Sequence, residues 1–335
     1  MMNIRHEVSL LSCNTFGIPA VASVFVESGD VAGLVDFVRS LADPSAVFLL
    51  GGGSNVLLVS DRYDIVIRPV MKGIALVDET DDRVLVRVGA GEVWDDFVKW
   101  CVERNYAGVE NLSHIPGTVG ACPIQNIGAY GVEAKETIET VEAMEMSTGQ
   151  IVTFDNHQCC FDYRDSFFKR NKGKYLITAV RFRLSKKFEP NVKYADLKTE
   201  LSCYERITLE NMRQAVISIR RRKLPDPAEL GNAGSFFKNP TIDNEKSKEI
   251  RQLYPQAPLY PASDDLWKIS AAWLIEQCGW KGLREGDTGV HKIQPLVIVN
   301  YGGAKGKEIL HFAQKIIDSV NNRFGIRLEM EVNIV

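Results

Sequence analysis

Asn111–Leu112–Ser113–His114–Ile115–Pro116–Gly117–Thr118–Val119–Gly120–Ala121, continued by Cys122–Pro123–Ile124–Gln125–Asn126–Ile127–Gly128–Ala129–Tyr130–Gly131, follows neither of the periods that build helices and strands. Counted from Tyr106 to Gly131, the stretch holds five glycines, two prolines and few charged side chains. Long loops without structure of their own are uncommon unless they are functional. A plain connector so long and so apolar would be an odd thing to leave in water. The composition suits backbone wrapped around something flat.

Sixty residues upstream, Leu49–Leu50–Gly51–Gly52–Gly53–Ser54–Asn55 lies between two short β-rich runs. Three consecutive glycines let a backbone approach a bulky anion and turn its N–H groups toward it. The loop is neither GxxxxGK[ST] nor GxGxxG, because Val56 stands where the third glycine would be. Gly89–Ala90–Gly91 fails the same test at Trp94. A tight turn is the competing reading of the triplet, and the second glycine-rich loop tilts the balance toward a binding role.

Around these loops the first third reads as α/β. Strands are expected at Val21–Glu27, Val47–Leu50, Val56–Val59, Ile65–Arg68 and Val84–Val88. Helical spacing appears in Val31–Leu41 and in Val93–Glu103, the latter with Trp94, Phe97, Val98 and Cys101 on one face. Strands resume at Ile138–Met146 and Lys174–Leu184. A helix over Thr208–Arg222 ends in Arg220–Arg221–Arg222–Lys223 before Leu224–Pro225–Asp226–Pro227. That basic run reads equally as a complement to the helix dipole and as an anion site. Further helices are expected from near Ser263, carrying Leu266, Ile269, Trp273 and Leu274, and over Lys305–Arg323. The alternation of Ile326, Leu328, Met330, Val332 and Ile334 predicts a closing strand.

Composition narrows the function. The 335 residues give a prior of about two domains. Hydrophobic residues at 45% and charged residues at 25% are the mix of a globular protein. A net charge of −3 with no basic tail argues against general nucleic-acid binding. The seven scattered cysteines show no metal-like spacing, so no metal site is expected, and they read as thiols in a reducing compartment. No apolar run approaches the roughly 18 residues of a membrane span, and no signal peptide is visible, so a cytoplasmic location is expected.

Later motifs complete a pattern: Tyr163–Arg164–Asp165–Ser166–Phe167–Phe168–Lys169, Gly231–Asn232–Ala233–Gly234–Ser235–Phe236–Phe237–Lys238–Asn239–Pro240, Gly289–Val290–His291, and Glu331 in the closing strand. In order and spacing the chain resembles the UDP-N-acetylenolpyruvoylglucosamine reductases over essentially its whole length. The resemblance implies an α+β architecture: a vanillyl-alcohol-oxidase/PCMH-type FAD-binding fold with an additional C-terminal α+β substrate-binding domain. It divides the chain into residues 1–72 plus 324–335, residues 73–218, and a substrate domain at 219–323. The extra segment from about Phe188 to Thr208 implies the longer type of the family, with a tyrosine loop. The implied reaction reduces UDP-N-acetylglucosamine-enolpyruvate to UDP-N-acetylmuramate for peptidoglycan.

The same resemblance implies non-covalent FAD, with NADPH as co-substrate. FAD is expected on Gly51, Gly52, Gly53, Ser54 and Asn55, on Ile115, Pro116, Gly117, Thr118, Gly120 and Ala121, and on Gln125, Asn126, Gly128, Ala129 and Tyr130. Arg164, Ser235 and Glu331 are the expected catalytic residues, and the chemistry agrees. A guanidinium is always charged and can polarise the substrate carboxylate as charge builds. Ser235 is expected to protonate C2 after hydride reaches C3, and Glu331 to assist. Without the resemblance these residues read as a surface arginine paired with Asp165, a turn serine and a solvated edge carboxylate. Tyr163, Tyr194, Lys223, Lys238, Asn239 and Gln294 are the expected substrate contacts, the lysines for the diphosphate. His114 does not match a covalent flavin-attachment motif. An oxidase of the same fold would lack Arg164, Ser235 and Glu331 in these contexts, and a non-catalytic UDP-sugar sensor would carry a damaged set.

Overall fold

The computed structural model describes residues 2–335, which cluster into two compact units. The first comprises residues up to Ser9, Val21–Gly53 and Arg62–Arg222; the second comprises Leu10–Ala20, Ser54–Asp61 and Lys223–Val335.

The first unit holds two larger sheets. In one, Met2–Ser9, Val21–Ser28, Arg62–Pro69 and Val47–Leu49 lie side by side in that order. Met2–Ser9 pairs antiparallel, and the other two pairings are parallel. Parallel neighbours need a crossover, which the helix Val31–Ser40 helps to supply. Asp30 caps it by accepting from the Ala32 N–H at 3.0 Å. Its Leu34 and Val38 bury against Val26, Val47 and Ile67.

The other sheet is antiparallel throughout: Ile151–Asp155, Ile138–Glu145, Tyr175–Ser185, Arg83–Gly89 and Ile74–Glu79. The helix Trp94–Glu103 contributes the anticipated Trp94, Phe97, Val98 and Cys101 to its core. The Phe97 and Phe182 rings sit 4.7 Å apart between centroids. Trp94 is wholly buried, and its indole N–H donates to the Leu112 carbonyl at 2.9 Å. That bond ties the glycine-rich stretch to the core. The stretch is shaped by short 3-10 turns at Glu110–Leu112 and Val119–Ala121 and by the small hairpin Gly128–Ala129 with Val132–Glu133.

In the second unit a four-stranded sheet runs Gly231–Asn232, Ile298–Asn300, Thr288–Val290, Arg284–Glu285. Beside it in the same unit are a three-stranded sheet and the helices Asn244–Leu253, Ala271–Gln277 and Gly306–Phe324. The long helix buries Ile309, Phe312, Ala313, Ile316 and Val320 and ends at Gly325 with φ 66°.

Two expectations change here. The helix expected from near Ser263 begins only at Ala271, where Ser270 accepts from the Trp273 N–H. Leu266–Ile269 is instead the middle strand between Thr241–Asp243 and Leu259–Ser263. A short apolar run does not announce its period, and pairing on both edges decided it. The closing strand shrinks to Asn333–Ile334, although Ile326, Leu328 and Val332 keep their buried alternation. Asn333–Ile334 pairs parallel with Val56–Leu57, and both segments cluster within the second unit.

Candidate active site

In the first unit the two glycine-rich loops touch. A Cβ built on Gly52 would lie 2.8 Å from the Gly117 Cα, a distance backbone does not tolerate. Glycine is therefore required here by close approach, as well as by φ 67° at Gly53. The second loop is pinned at its start: the Gly117 carbonyl accepts from the Trp94 N–H at 3.0 Å, and the Gly120 N–H donates to the Ala90 carbonyl at 2.9 Å. The backbone N–H groups of Gly51, Gly52, Ile115, Gly117 and Thr118 donate to nothing among the described residues. Such unclaimed donors on adjoining glycine loops make an anion-binding concavity.

Asn111, next to this loop, is wholly buried. Its Nδ2 donates to the Tyr130 carbonyl at 3.0 Å and the Asn191 carbonyl at 3.1 Å, while its Oδ1 accepts nothing among the described residues. A buried orphan acceptor is rare and asks for a ligand or water. Asn126 is also wholly buried, with φ 45°; its Nδ2 donates to Glu133 and to the Asp162 carbonyl, and its Oδ1 accepts from the Lys135 N–H. It braces the loop from within.

Arg164 occupies a two-residue turn. Asp162 and Asp165 exchange both backbone hydrogen bonds, at 3.0 and 3.2 Å, and Arg164 takes φ 54° between them. The ordinary reading of this arginine was an ion pair with Asp165. Asp165 pairs instead with Arg170, at 2.5 Å. The Arg164 guanidinium donates to the Gly128 carbonyl, and its own carbonyl accepts from Lys169 Nζ at 3.0 Å. A Cβ on Gly128 would meet Arg164 Nη1 at 2.8 Å, so that glycine makes room for the guanidinium. The neighbouring Tyr163 ring lies 5.3 Å from it.

Tyr194 is 52% exposed and packs edge-on against Tyr130, with centroids 5.6 Å apart. Burial raises the Tyr130 hydroxyl above the usual phenol range, with Arg220 pulling the other way.

In the second unit the segments that carry Ser235 and Glu331 pair with each other. Phe237 bridges antiparallel to Met330, the Glu331 N–H donates to the Phe236 carbonyl at 2.8 Å, and the Lys238 N–H donates to the Glu329 carbonyl at 2.9 Å. In this register Glu331 lies across from Phe236, and Ser235 is the residue just before Phe236. Phe236 and Phe237 are buried, and the Phe236 ring meets Phe16 edge-on at 6.1 Å, which fixes the segment. Gly234 takes φ 70° just before the serine, and its N–H is held by Asn232 Oδ1 at 2.9 Å. The half-buried Ser235 hydroxyl makes no hydrogen bond among the described residues. Among the described residues Lys238 is held only by the exposed Glu329, at 3.1 Å. Surface pairs of this kind contribute little, so the ammonium is available. Asn239 Oδ1 accepts from the Ala271 N–H at 2.9 Å, and Gln294 Oε1 turns toward the Leu296 N–H within its own loop. Both amides thus also serve local structure.

Sequence reasoning passed over Asp95, Asn111 and Arg213. Arg213 is 7% exposed on a helix whose neighbours Met212, Ala215, Val216 and Ile219 read as core. The signal was a charged residue inside an apolar stripe, which needs a buried partner. Of the basic run, Arg220 donates to the His114 carbonyl at 3.1 Å and Arg222 pairs with Glu200 at 2.9 Å.

Residues 22–155 match the family profile of an FAD binding domain, and residues 226–335 match that of the UDP-N-acetylenolpyruvoylglucosamine reductase C-terminal domain. A UDP-N-acetylenolpyruvoylglucosamine reductase of Bacteroides fragilis is 45% identical over 333 residues, covering 99% of this chain and 100% of the relative. One of Amoebophilus asiaticus is 47% identical over 338 residues, covering 100% of each. The crystal structure of the Thermus caldophilus enzyme of that name superposes with a TM-score of 0.70 at 24% identity, over 100% of this chain and 99% of that one. It supports the fold. No helix among the described residues is long and apolar enough to cross a membrane. FAD fits what the first unit offers: unclaimed N–H groups for a diphosphate and a buried acceptor beside an apolar loop. The chain belongs to the UDP-N-acetylenolpyruvoylglucosamine reductase family and is an FAD-dependent oxidoreductase.

Proposed function

We propose that the chain reduces UDP-N-acetylglucosamine-enolpyruvate to UDP-N-acetylmuramate with NADPH as reductant, in the cytoplasm. The observation that supports this reading is the pairing of the segment that carries Ser235 with the segment that carries Glu331, the Ser235 hydroxyl being unengaged among the described residues. When bound, FAD supplies one chemistry: it accepts a hydride from NADPH and delivers one from N5 to C3 of the enolpyruvyl group. Gly51–Gly53, Ser54, Asn55, Ile115–Thr118, Gly120, Ala121, Gln125, Asn126 and Gly128–Tyr130 would hold it.

Arg164 binds the substrate carboxylate and stabilises the charge that grows on it. Its left-handed turn and its bond to Gly128 fix the guanidinium before substrate arrives, so little reorganisation remains. Ser235 gives its proton to C2 and is reprotonated from solvent. Hydride at C3 and proton at C2 together saturate the alkene. Glu331 supports that transfer from the segment paired with Phe236–Lys238. Lys223 and Lys238 hold the diphosphate, Tyr163, Asn239 and Gln294 bind the remainder, and Tyr194 covers it. Residues 219–323 act as the substrate-binding part.

The test is a visible absorption spectrum of the purified protein, taken anaerobically with NADPH and then with the enolpyruvyl substrate. Flavin bands that bleach and then return establish both half-reactions. Bands that return only with oxygen make the protein an oxidase, and a colourless protein that cannot be reconstituted with FAD overturns the reading.

A further inference from the structure

His114 is held on both sides of its backbone. Its N–H donates to Asp95 Oδ1 at 2.5 Å, and its carbonyl accepts from Arg220 Nε at 3.1 Å. Asp95 is in turn gripped by a fork: Arg213 Nη1 and Nη2 donate to its two oxygens at 2.6 and 2.9 Å. The Arg213 side chain is 8% exposed. Burial pushes the Asp95 carboxyl up, yet the Arg213 hydrogen bonds, the His114 N–H and the charges of Arg213 and His114 outweigh it, and the group stays ionised more readily than usual. Arg213 and Arg220 lie two helical turns apart on Leu209–Lys223 and therefore share a face.

Between these two grips His114 takes φ 60°. A non-glycine residue left to itself disfavours that region by roughly 5- to 150-fold in population. Ile115–Pro116–Gly117 follows directly, and Gly117 is the residue that lies against Gly52. The direction in which the loop leaves His114 decides whether the two loops meet.

We propose that Asp95 and Arg213, with Arg220, are positioning residues for the cofactor: they hold His114 in its left-handed turn and so preset the Ile115–Ala121 loop for FAD. The proposal rests on the reading of that loop as a flavin contact. A buried ion pair is weak evidence for stability, and its best-attested use is to fix one arrangement over others.

The experiment measures FAD affinity of the deflavinated protein by fluorescence titration, with visible circular dichroism of the bound flavin and melting of the FAD-free form. Asp95→Asn should raise the FAD Kd about tenfold, because the competent loop becomes a minor conformer. Adding His114→Gly to that variant should restore most of the affinity and the dichroism, since glycine takes positive φ freely. A pair that merely stabilised the fold would not be rescued in this way. An unchanged Kd in Asp95→Asn, or a raised Kd that His114→Gly leaves raised, overturns the proposal. Gly52→Ala separates the underlying reading: weakened FAD binding there with no effect in Asp95→Asn removes only the clamp, and no effect in either removes the loop assignment. Should Asp95→Asn not fold, Arg213→Lys keeps the charge but loses the fork, and a severalfold rise in Kd is expected; an unchanged Kd counts against the proposal.

Discussion

Arg164, Ser235 and Glu110 each hold a state that an isolated residue would avoid, for different reasons. Arg164 sits at φ 54° because the Asp162–Asp165 turn closes on both sides of it. Among the described residues nothing engages the Ser235 hydroxyl, which precedes two buried phenylalanines. A serine in that position is a proton source only if nothing else uses its O–H. Ser235→Ala should slow flavin reoxidation by substrate about 10²- to 10⁴-fold while leaving reduction by NADPH nearly intact. Stopped-flow traces of the two half-reactions check this, and equal damage to both would remove the serine from proton transfer. Glu110 is 5% exposed, and burial raises its carboxyl above the usual range even though the Gly108 N–H donates to it at 2.7 Å. An acid raised in the folded state favours folding while protonated and loses that contribution as pH rises through its unfolded value toward its folded one. Glu110→Gln escapes that loss. Its melting temperature should exceed wild type at pH 7.5, and the gap should close near pH 4; a gap of equal size at both pH values would refute the linkage.

At the scale of elements, the segment before Tyr194 is fastened to the glycine-rich Asn111–Gly131 stretch by reciprocal amides. Asn111 donates to the Asn191 carbonyl, and Asn191 Nδ2 donates to the Gly131 carbonyl at 3.0 Å. The Tyr194 ring then rests on Tyr130. Edge-on aromatic pairs contribute about 0.5–1.5 kcal/mol, up to roughly tenfold in an equilibrium. Tyr194→Ala should therefore raise the KM for the enolpyruvyl substrate by up to about tenfold and leave the KM for NADPH within about twofold. Steady-state kinetics with each substrate varied decides it, and equal effects would remove the covering role. The elements also mark how far the sequence could be read. Long periodic segments such as Val31–Ser40, Trp94–Glu103 and Gly306–Phe324 fall within a residue or two of expectation, because their apolar faces repeat often enough to define a period. Met2–Ser9, Ile74–Glu79 and Ile151–Asp155 were passed over. They are edge strands with mostly exposed side chains, so hydrophobic alternation had little to act on. The Asp95–Arg213 pair was invisible for another reason: residues 118 positions apart meet only through tertiary packing.

At the scale of the molecule, the two units are not successive stretches of chain. Leu10–Ala20 and Ser54–Asp61 belong with Lys223–Val335. Phe16 is 1% exposed, its carbonyl accepts from Asn300 Nδ2 at 2.9 Å, and the Asn232 N–H donates to Thr15 at 3.0 Å. Leu57 and Leu58 are buried, and Val56–Leu57 is the partner strand of Asn333–Ile334. The Val59 N–H reaches the Val335 carbonyl at 2.8 Å. Fully burying side chains of this size contributes about 1.5–3 kcal/mol each. Removing Phe16, Leu57 and Leu58 together therefore consumes a large part of the 5–15 kcal/mol that a domain usually has. Their loss also strands backbone groups of Asn232, Asn333 and Val335 without partners. The profile match at 226–335 thus leaves out two N-terminal segments around which the second unit packs. A fragment of residues 223–335 should show no cooperative thermal transition by circular dichroism and poor amide dispersion by NMR, whereas the full chain melts cooperatively. A fragment that melts sharply would mean that the helix Gly306–Phe324 and the sheets of the second unit suffice without the two N-terminal segments.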